Sequence, residues 1–368
     1  MEMLHALVTL IRKELQSVLA SPQGRRLLIL PVVLQLLLFP FAATLEVKNS
    51  TLAIYNQDGG EASIELVQRL AAAKAFPHIV NLYSEAQLRR VIDREDALLA
   101  IRIPMDFSSR LARGEAPHLQ AVIDGRRSNS AQIAFGYARA VVVQYALEKV
   151  ARPLPAQLTV QHLYNPNLDY RWFILPSLVA IITTVGCLSI TGLSLARERE
   201  EGTFDQLLVS PLTPAYIMAG KAIPGILVAL IQGSIIAAAA VWAFGVPFSG
   251  TVALLYVSML CYALSLAGFG LFISALCSSQ QQAFLGTFGF MSPAVILSGY
   301  IAPVENMPRV LRAVSAVDPL THFIVVVKGV FLKDYGWADA WPHLWPLLVI
   351  SAVTLWAAYL LFRYRSGQ

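Results

Sequence analysis

One stretch of this sequence decides what it can fold into: from Ala222 to Val304, 83 consecutive residues carry no Asp, Glu, Lys, Arg or His. No water-soluble fold needs such a run, whereas apolar helices laid end to end through a bilayer do. The whole chain is 56% hydrophobic and 14% charged, against about 25% charged in soluble domains. An ordinary soluble enzyme is therefore excluded first. Three shorter charge-free windows, 27–45, 172–196 and 340–362, each approach the ~20 residues a helix needs to cross the hydrocarbon core. Breaks at Gly245, Pro247, Ser249 and Gly250, and at Cys277–Gln282, divide the long run into spans near 222–244, 251–276 and 283–301. Six spans place both termini on one side.

Positive charge selects that side. Arg12, Lys13, Arg25 and Arg26 precede the first span, Arg197, Arg199 and Lys221 lie in the 197–221 loop, and Arg363 and Arg365 in the 363–368 tail, while 245–250 has none. The 302–339 loop, with Arg309, Arg312, Lys328 and Lys333, weakens the bias. Both termini are expected in the cytoplasm. Residues 1–26 read as an amphipathic helix along the inner membrane surface. Leu4, Leu7, Val8, Ile11, Leu15, Val18 and Leu19 form its apolar face, Arg12, Lys13, Glu14 and Gln16 the other, and Ser21-Pro22 its end. With so organised a segment before it, the first span is expected to be a retained anchor and not a cleaved signal peptide.

Residues 46–171 return to ordinary composition. Strands are expected at Thr51–Asn56, His78–Tyr83, Ala97–Ile103 and His118–Asp124. Helices are expected over Ser63–Lys74, Ser84–Arg94 with Ser84 as N-cap, a short stretch from Pro104, and Ser128–Val150. That alternation predicts an α/β domain with a mixed sheet, inserted between helices 1 and 2 of an α-helical polytopic membrane protein. Cys187, Cys261 and Cys277 all lie in or at the end of spans, so no disulfide framework stands outside. His78, His118 and His162 lack metal-ligand spacing, and Asp124-Gly125-Arg126-Arg127 reads as a solvated turn.

Much chemistry is missing. There is no G-x-x-x-x-G-K-[ST], H-E-x-x-H, C-x-x-C or G-x-S-x-G. All 23 acidic residues lie outside the six spans, which disfavours an ion-coupled antiporter. Energy for transport would come from elsewhere.

Two features remain. Span two carries a small-residue face, Ser177, Ala180, Thr184, Cys187, Thr191 and Ser194, suited to close helix contact. It reads first as packing inside one subunit, with a dimer face or substrate path as the sharper alternative. The loop Leu195–Lys221 holds a dense cluster, Arg197-Glu198-Arg199-Glu200-Glu201, then Gly202 and an apolar ridge of Phe204, Leu207 and Leu208 at i, i+3, i+4. Such a ridge suits a groove on a soluble partner.

The run Arg197–Thr213 closely resembles the permease subunits of ABC-2-type transporters. Asn165-Pro166-Asn167-Leu168-Asp169 with Trp172, Ser298-Gly299, Pro303, Asn306-Met307-Pro308 and Asp318-Pro319-Leu320-Thr321-His322-Phe323 extend the likeness over the chain, with Asp318 where the family usually has Asn. The resemblance implies that two six-span subunits, identical or siblings, pair and dock on a separate ATPase subunit, which binds ATP and Mg. This chain is then no enzyme and holds no cofactor. Arg197, Glu198, Arg199, Glu200, Glu201, Gly202, Thr203, Phe204, Asp205, Leu207, Leu208 and Pro211 would couple ATP-driven closure to the spans. The 302–339 segment, with Phe323–Leu332 too short to cross, would re-enter the outer leaflet. Members with this insert resemble inner-membrane parts of bacterial drug-efflux systems that hand substrate to a periplasmic adaptor. Lipids are further partners and nucleic acid is not. The expectation is that Glu198→Lys or Gly202→Pro uncouples export without harming folding. A membrane-anchored sensor or scaffold, with a ligand-binding insert, is the alternative.

Overall fold

The structure, a computed structural model, describes residues 2–42, 51–149, 164–165, 169–210 and 212–366. The chain divides into two compact units, one of residues 1–43 and 162–368, the other of residues 44–161.

The first unit begins with α1 (Glu2–Ala20) and α2 (Pro22–Ala42). The break expected at Ser21-Pro22 is also a start. Ser21 Oγ accepts the Gly24 N–H at 2.9 Å, and Pro22 takes the first helical position, where its missing N–H costs nothing. The apolar window accordingly begins at Gly24, before residue 27. In α1 the buried stripe is Leu10, Glu14 and Val18, whereas Leu4, Val8 and Leu19 are exposed. Glu14, placed by its charge on the polar face, is inside.

The second unit runs β1 (Thr51–Asn56), α3 (Glu61–Ala72), β2 (His78–Asn81), α4 (Glu85–Asp93), β3 (Leu99–Ile103), α5 (Phe107–Ala112), β4 (Gln120–Ile123) and α6 (Ser128–Lys149). The sheet order is β2-β1-β3-β4, with β1 parallel to β2 and β3, and β4 antiparallel to β3. The mixed sheet follows from patterning. Leu52, Ala53 and Ile54 of β1 and Leu99, Ala100 and Ile101 of β3 are buried on both faces, as central strands require. One face packs Leu66, Leu70 and Tyr145 against them, the other Leu82 and Leu88. Ser84 caps α4 as expected, accepting the Gln87 N–H at 3.2 Å. After β1 the Asp58 carboxylate accepts N–H groups from Gly60 (3.0 Å) and Ser108 (3.3 Å) and the Ser108 hydroxyl. Burial pushes this acid up, but the donors of Ser108 and Gly60 outweigh it and hold it below the usual aspartate range. The Asp124–Arg127 turn is a short 3-10 segment, tied by Arg126 Nε to the buried Asp124 at 3.0 Å. His162 lies outside the described residues.

The first unit resumes with α7 (Tyr170–Glu200), α8 (Phe204–Leu208), α9 (Pro214–Trp242), α10 (Val252–Leu276), α11 (Gln280–Leu297), α12 (Arg309–Ser315), α13 (Pro319–Leu332) and α14 (Trp337–Ser366). Five helices, α2, α7, α9, α10 and α14, are long and apolar enough to cross a membrane. The count rises to six if α12 and α13, bent by 74°, are taken as one broken span. The helix expected over 283–301 is α11, displaced to start three glutamines earlier; these leave its 18 residues too polar to count among the five. The segment expected over Phe323–Leu332 forms as the longer α13, with Phe323, Val326, Val327 and Val330 buried.

The middle of the unit is α7, buried along most of its length and packed on α9, α10, α11 and α13. Thr191 shows how closely: a Cβ on Gly225 would sit 2.5 Å from its Cγ2, and one on Gly270 would overlap its Oγ1. The loop expected over 197–221 is shorter than its sequence. Its first residues complete α7 and Pro214 starts α9, so Lys221 lies two turns inside a helix.

Candidate functional site

The last turn of α7 ends because Gly202 can adopt φ +71. The Gly202 N–H donates to the Arg199 carbonyl (3.2 Å) and the Thr203 N–H to that of Glu198 (2.9 Å). This is the left-handed C-terminal turn that glycine serves best, and it directs the chain into α8.

Four charged side chains from three helices meet just inside that turn. Lys221 Nζ of α9 lies 2.5 Å from Glu14 Oε1 of α1 and 2.8 Å from Glu198 Oε1 of α7. Lys13 Nζ reaches the same Glu198 oxygen at 2.8 Å. Ser194 Oγ donates to Glu14 Oε2 at 3.3 Å, and Thr203 Oγ1 to Glu198 Oε2. Two carboxylates face two ammonium groups, so the cluster is neutral as a whole. Lys221 is fully enclosed and only Lys13 reaches solvent. Partial burial alone would lower the Lys13 ammonium; the hydrogen bond and charge of Glu198, with Glu14 and Glu201 beyond, lift it above its ordinary value.

The arginines of the loop are also committed. Arg197 Nη1 donates to Ser17 Oγ at 3.2 Å, binding α7 to α1. Arg199 Nη1 donates to the carbonyls of Ala275 and Cys277, both at 2.8 Å, at the end of α10. Its guanidinium lies 4.7 Å from the Phe204 ring centroid, and Phe204 meets Phe362 edge-on at 6.1 Å. Glu200 accepts the Gln280 N–H at 2.7 Å, at the positive end of α11.

These contacts sort the residues singled out in the sequence. Glu198 and Leu207 are buried, and Phe204 packs on the chain's own helices. Of the apolar ridge, Phe204 and Leu207 lie against the chain's own helices. What the loop offers outward is Glu200, Glu201, Gly202, Asp205, Gln206 and Val209. The Leu208 side chain and Pro211 lie outside the described residues. Glu14 and Lys221 escaped the sequence reading. The available signal was Lys221 itself, the one cation at the head of the 83-residue uncharged run.

The small-residue face of α7 is filled from within the same subunit. Ser177, Ala180, Thr184, Cys187, Thr191 and Ser194 are all buried. Thr184 Oγ1 pairs with Tyr262 Oη at 2.5 Å, and Cys187 Sγ donates to the Ala263 carbonyl at 3.4 Å. Within one chain these six side chains are covered by its own helices. The cause is the glycines and alanines of α9 and α10, which bring those helices into contact.

The matching family profile is that of an ABC-2 family transporter protein, over residues 27–360. The chain is 54% identical to the "Probable multidrug ABC transporter permease YbhR" of Escherichia coli, over 98% of its own length and 99% of that protein. It is 28% identical to the "Inner membrane transport permease YhhJ" of Escherichia coli over 86% of each chain, and 25% identical to its "Probable multidrug ABC transporter permease YbhS" over 87% and 86%. The chain belongs to the ABC-2 transporter family, as a permease subunit whose ATP-hydrolysing partner is a separate polypeptide.

Proposed function

We propose that this chain is the membrane half of a bacterial inner-membrane exporter that moves lipophilic or amphipathic compounds outward. It pairs with a second permease, a copy or a sibling, and each permease docks on an ATPase subunit that binds ATP and Mg. Both termini and the 201–210 turn face the cytoplasm, and the second unit stands in the periplasm, where it meets an adaptor protein. Six crossings complete this topology, with α11 as the fifth and the α12–α13 bend re-entering the outer leaflet beside bilayer lipid.

The observation that supports this reading is the division of the loop into two sides. Its inner side is locked to α1, α9 and α10 through Arg197, Glu198 and Arg199. Its outer side leaves Glu201, Asp205 and Val209 exposed. A partner pushing on the outer side would move three helices together. The names of YbhR and YbhS support a multidrug substrate range, and that of YhhJ the inner membrane.

The test is reconstitution. The permease, co-expressed with its cognate ABC ATPase subunit, should pump a lipophilic dye across proteoliposome membranes only with Mg-ATP present. Dye movement without ATP, or a permease that fails to co-purify with that ATPase, would defeat the proposal.

A further inference from the structure

Away from the charged cluster, α10, α11, α12 and the turn after it line an open pocket of about 280 Å³. Its walls include Phe290, Pro293, Leu297, Val314 and Val317, and its one charged group is Asp318. Phe290 stacks on Phe269 at 4.3 Å and 25°, which gives the wall a flat aromatic surface.

Asp318 is only 8% exposed. Its oxygens accept the Leu320 N–H at 3.0 Å and the Thr321 hydroxyl at 3.2 Å, so it caps α13. As a cap, Asn, Ser or Thr would serve as well as this acid, whose charge the α13 N-terminus favours only in part. Among the described residues no cation pairs with it. The two nearest basic groups in sequence are engaged elsewhere, His322 with the Ala316 carbonyl (2.9 Å) and Arg312 with the carbonyls of Glu305 and Met307. A carboxylate held away from water by neutral donors alone is costly, a cost that either a proton or a counter-charge relieves. A bare metal ion is a poor fit, because one carboxylate among hydrocarbon offers too few ligands.

We propose that this pocket binds a lipophilic organic cation, with Asp318 as counter-charge and the Phe290 face as apolar and cation–π surface. As a place where cargo is held, it rests on the exporter reading above. As a binding site it stands without it.

The test uses the full-length permease in lipid nanodiscs without any ATPase, and measures equilibrium binding of tetraphenylphosphonium and of neutral triphenylphosphine oxide. Asp318→Asn keeps the cap and removes the charge. Gly289→Leu fills the pocket, since a Cβ at Gly289 meets nothing within 4 Å. Wild type should prefer the cation. Asp318→Asn should weaken the cation at least tenfold and leave the neutral compound unchanged, and Gly289→Leu should weaken both. Absence of cation binding to wild type, equal cation binding by Asp318→Asn, or undiminished binding by Gly289→Leu would each overturn the proposal. Binding as expected in a protein that transports nothing would keep the site and remove the exporter reading.

Discussion

Lys221 Nζ lies 2.5 Å from Glu14 Oε1, although 207 residues separate the two in the chain. With Glu198 on its other side, this lysine fastens the first helix of the protein to α7 and α9.

Removing the ammonium leaves Glu14 buried without a cation and Glu198 with Lys13 alone. Lys221→Met is expected to destabilise by about 3–5 kcal/mol, as breaking one partner of a buried pair does. The double variant Glu14→Gln/Lys221→Met leaves Glu198 paired with Lys13 and should recover most of the loss. Thermal unfolding, followed by thiol labelling of the buried Cys187 and Cys261, measures both.

Glu198→Lys would gather three ammonium groups around Lys13 and Lys221, so it is expected to impair folding. That departs from the expectation drawn from sequence alone. The exposed Glu201→Lys is the cleaner probe of coupling. It should leave expression and unfolding temperature near wild type while ATP-driven export falls about tenfold, a change of about 1.4 kcal/mol. Dye efflux beside a thermal melt separates the two outcomes.

Gly225 leaves no room next to Thr191. Gly225→Val is expected to cost about 1–3 kcal/mol by overpacking the α7–α9 contact, read from the same thiol-labelling melt. For the same reason Cys187 is sealed in, and oxidants should give no Cys187-dependent dimer on a non-reducing gel.

The Asp58 carboxylate is held below its ordinary range, so its contribution to stability is present above the unfolded aspartate value and is lost as pH falls through the folded one. Asp58→Ala is expected to weaken the second unit by about 1 kcal/mol at neutral pH, the scale of a lost acceptor of backbone N–H groups. The gap to wild type should close in acid. Limited proteolysis across a pH series, with cleavage between residues 51 and 149 as the readout, checks this.

Charge-free windows made the apolar helices visible, and strand–helix alternation made the mixed sheet visible, because both patterns are local. The misses share one cause. An acidic residue on an amphipathic helix reads as solvent-facing, and only a helix far along the chain reveals that Glu14 has a buried partner. Periodicity at Phe204 and Leu207 says that a face will be covered; it does not say by what, and Phe362 from the other end of the chain supplies part of the answer. The six small residues of α7 likewise announced close packing without naming α9 and α10 as the neighbours.

The length of α7 has a mechanical meaning. Its 31 residues make a rod of about 46 Å, with its one internal proline, Pro176, near the start. Pivoted at its centre, such a rod swings each tip by about 2 Å for a tilt of about 5°. One tip carries the Gly202 turn and the charged cluster, and the other half packs against α13. A small push at the charged end would reach the far half with its direction reversed, and the side-chain ties from that end to α1, α9 and α10 would have to move with it.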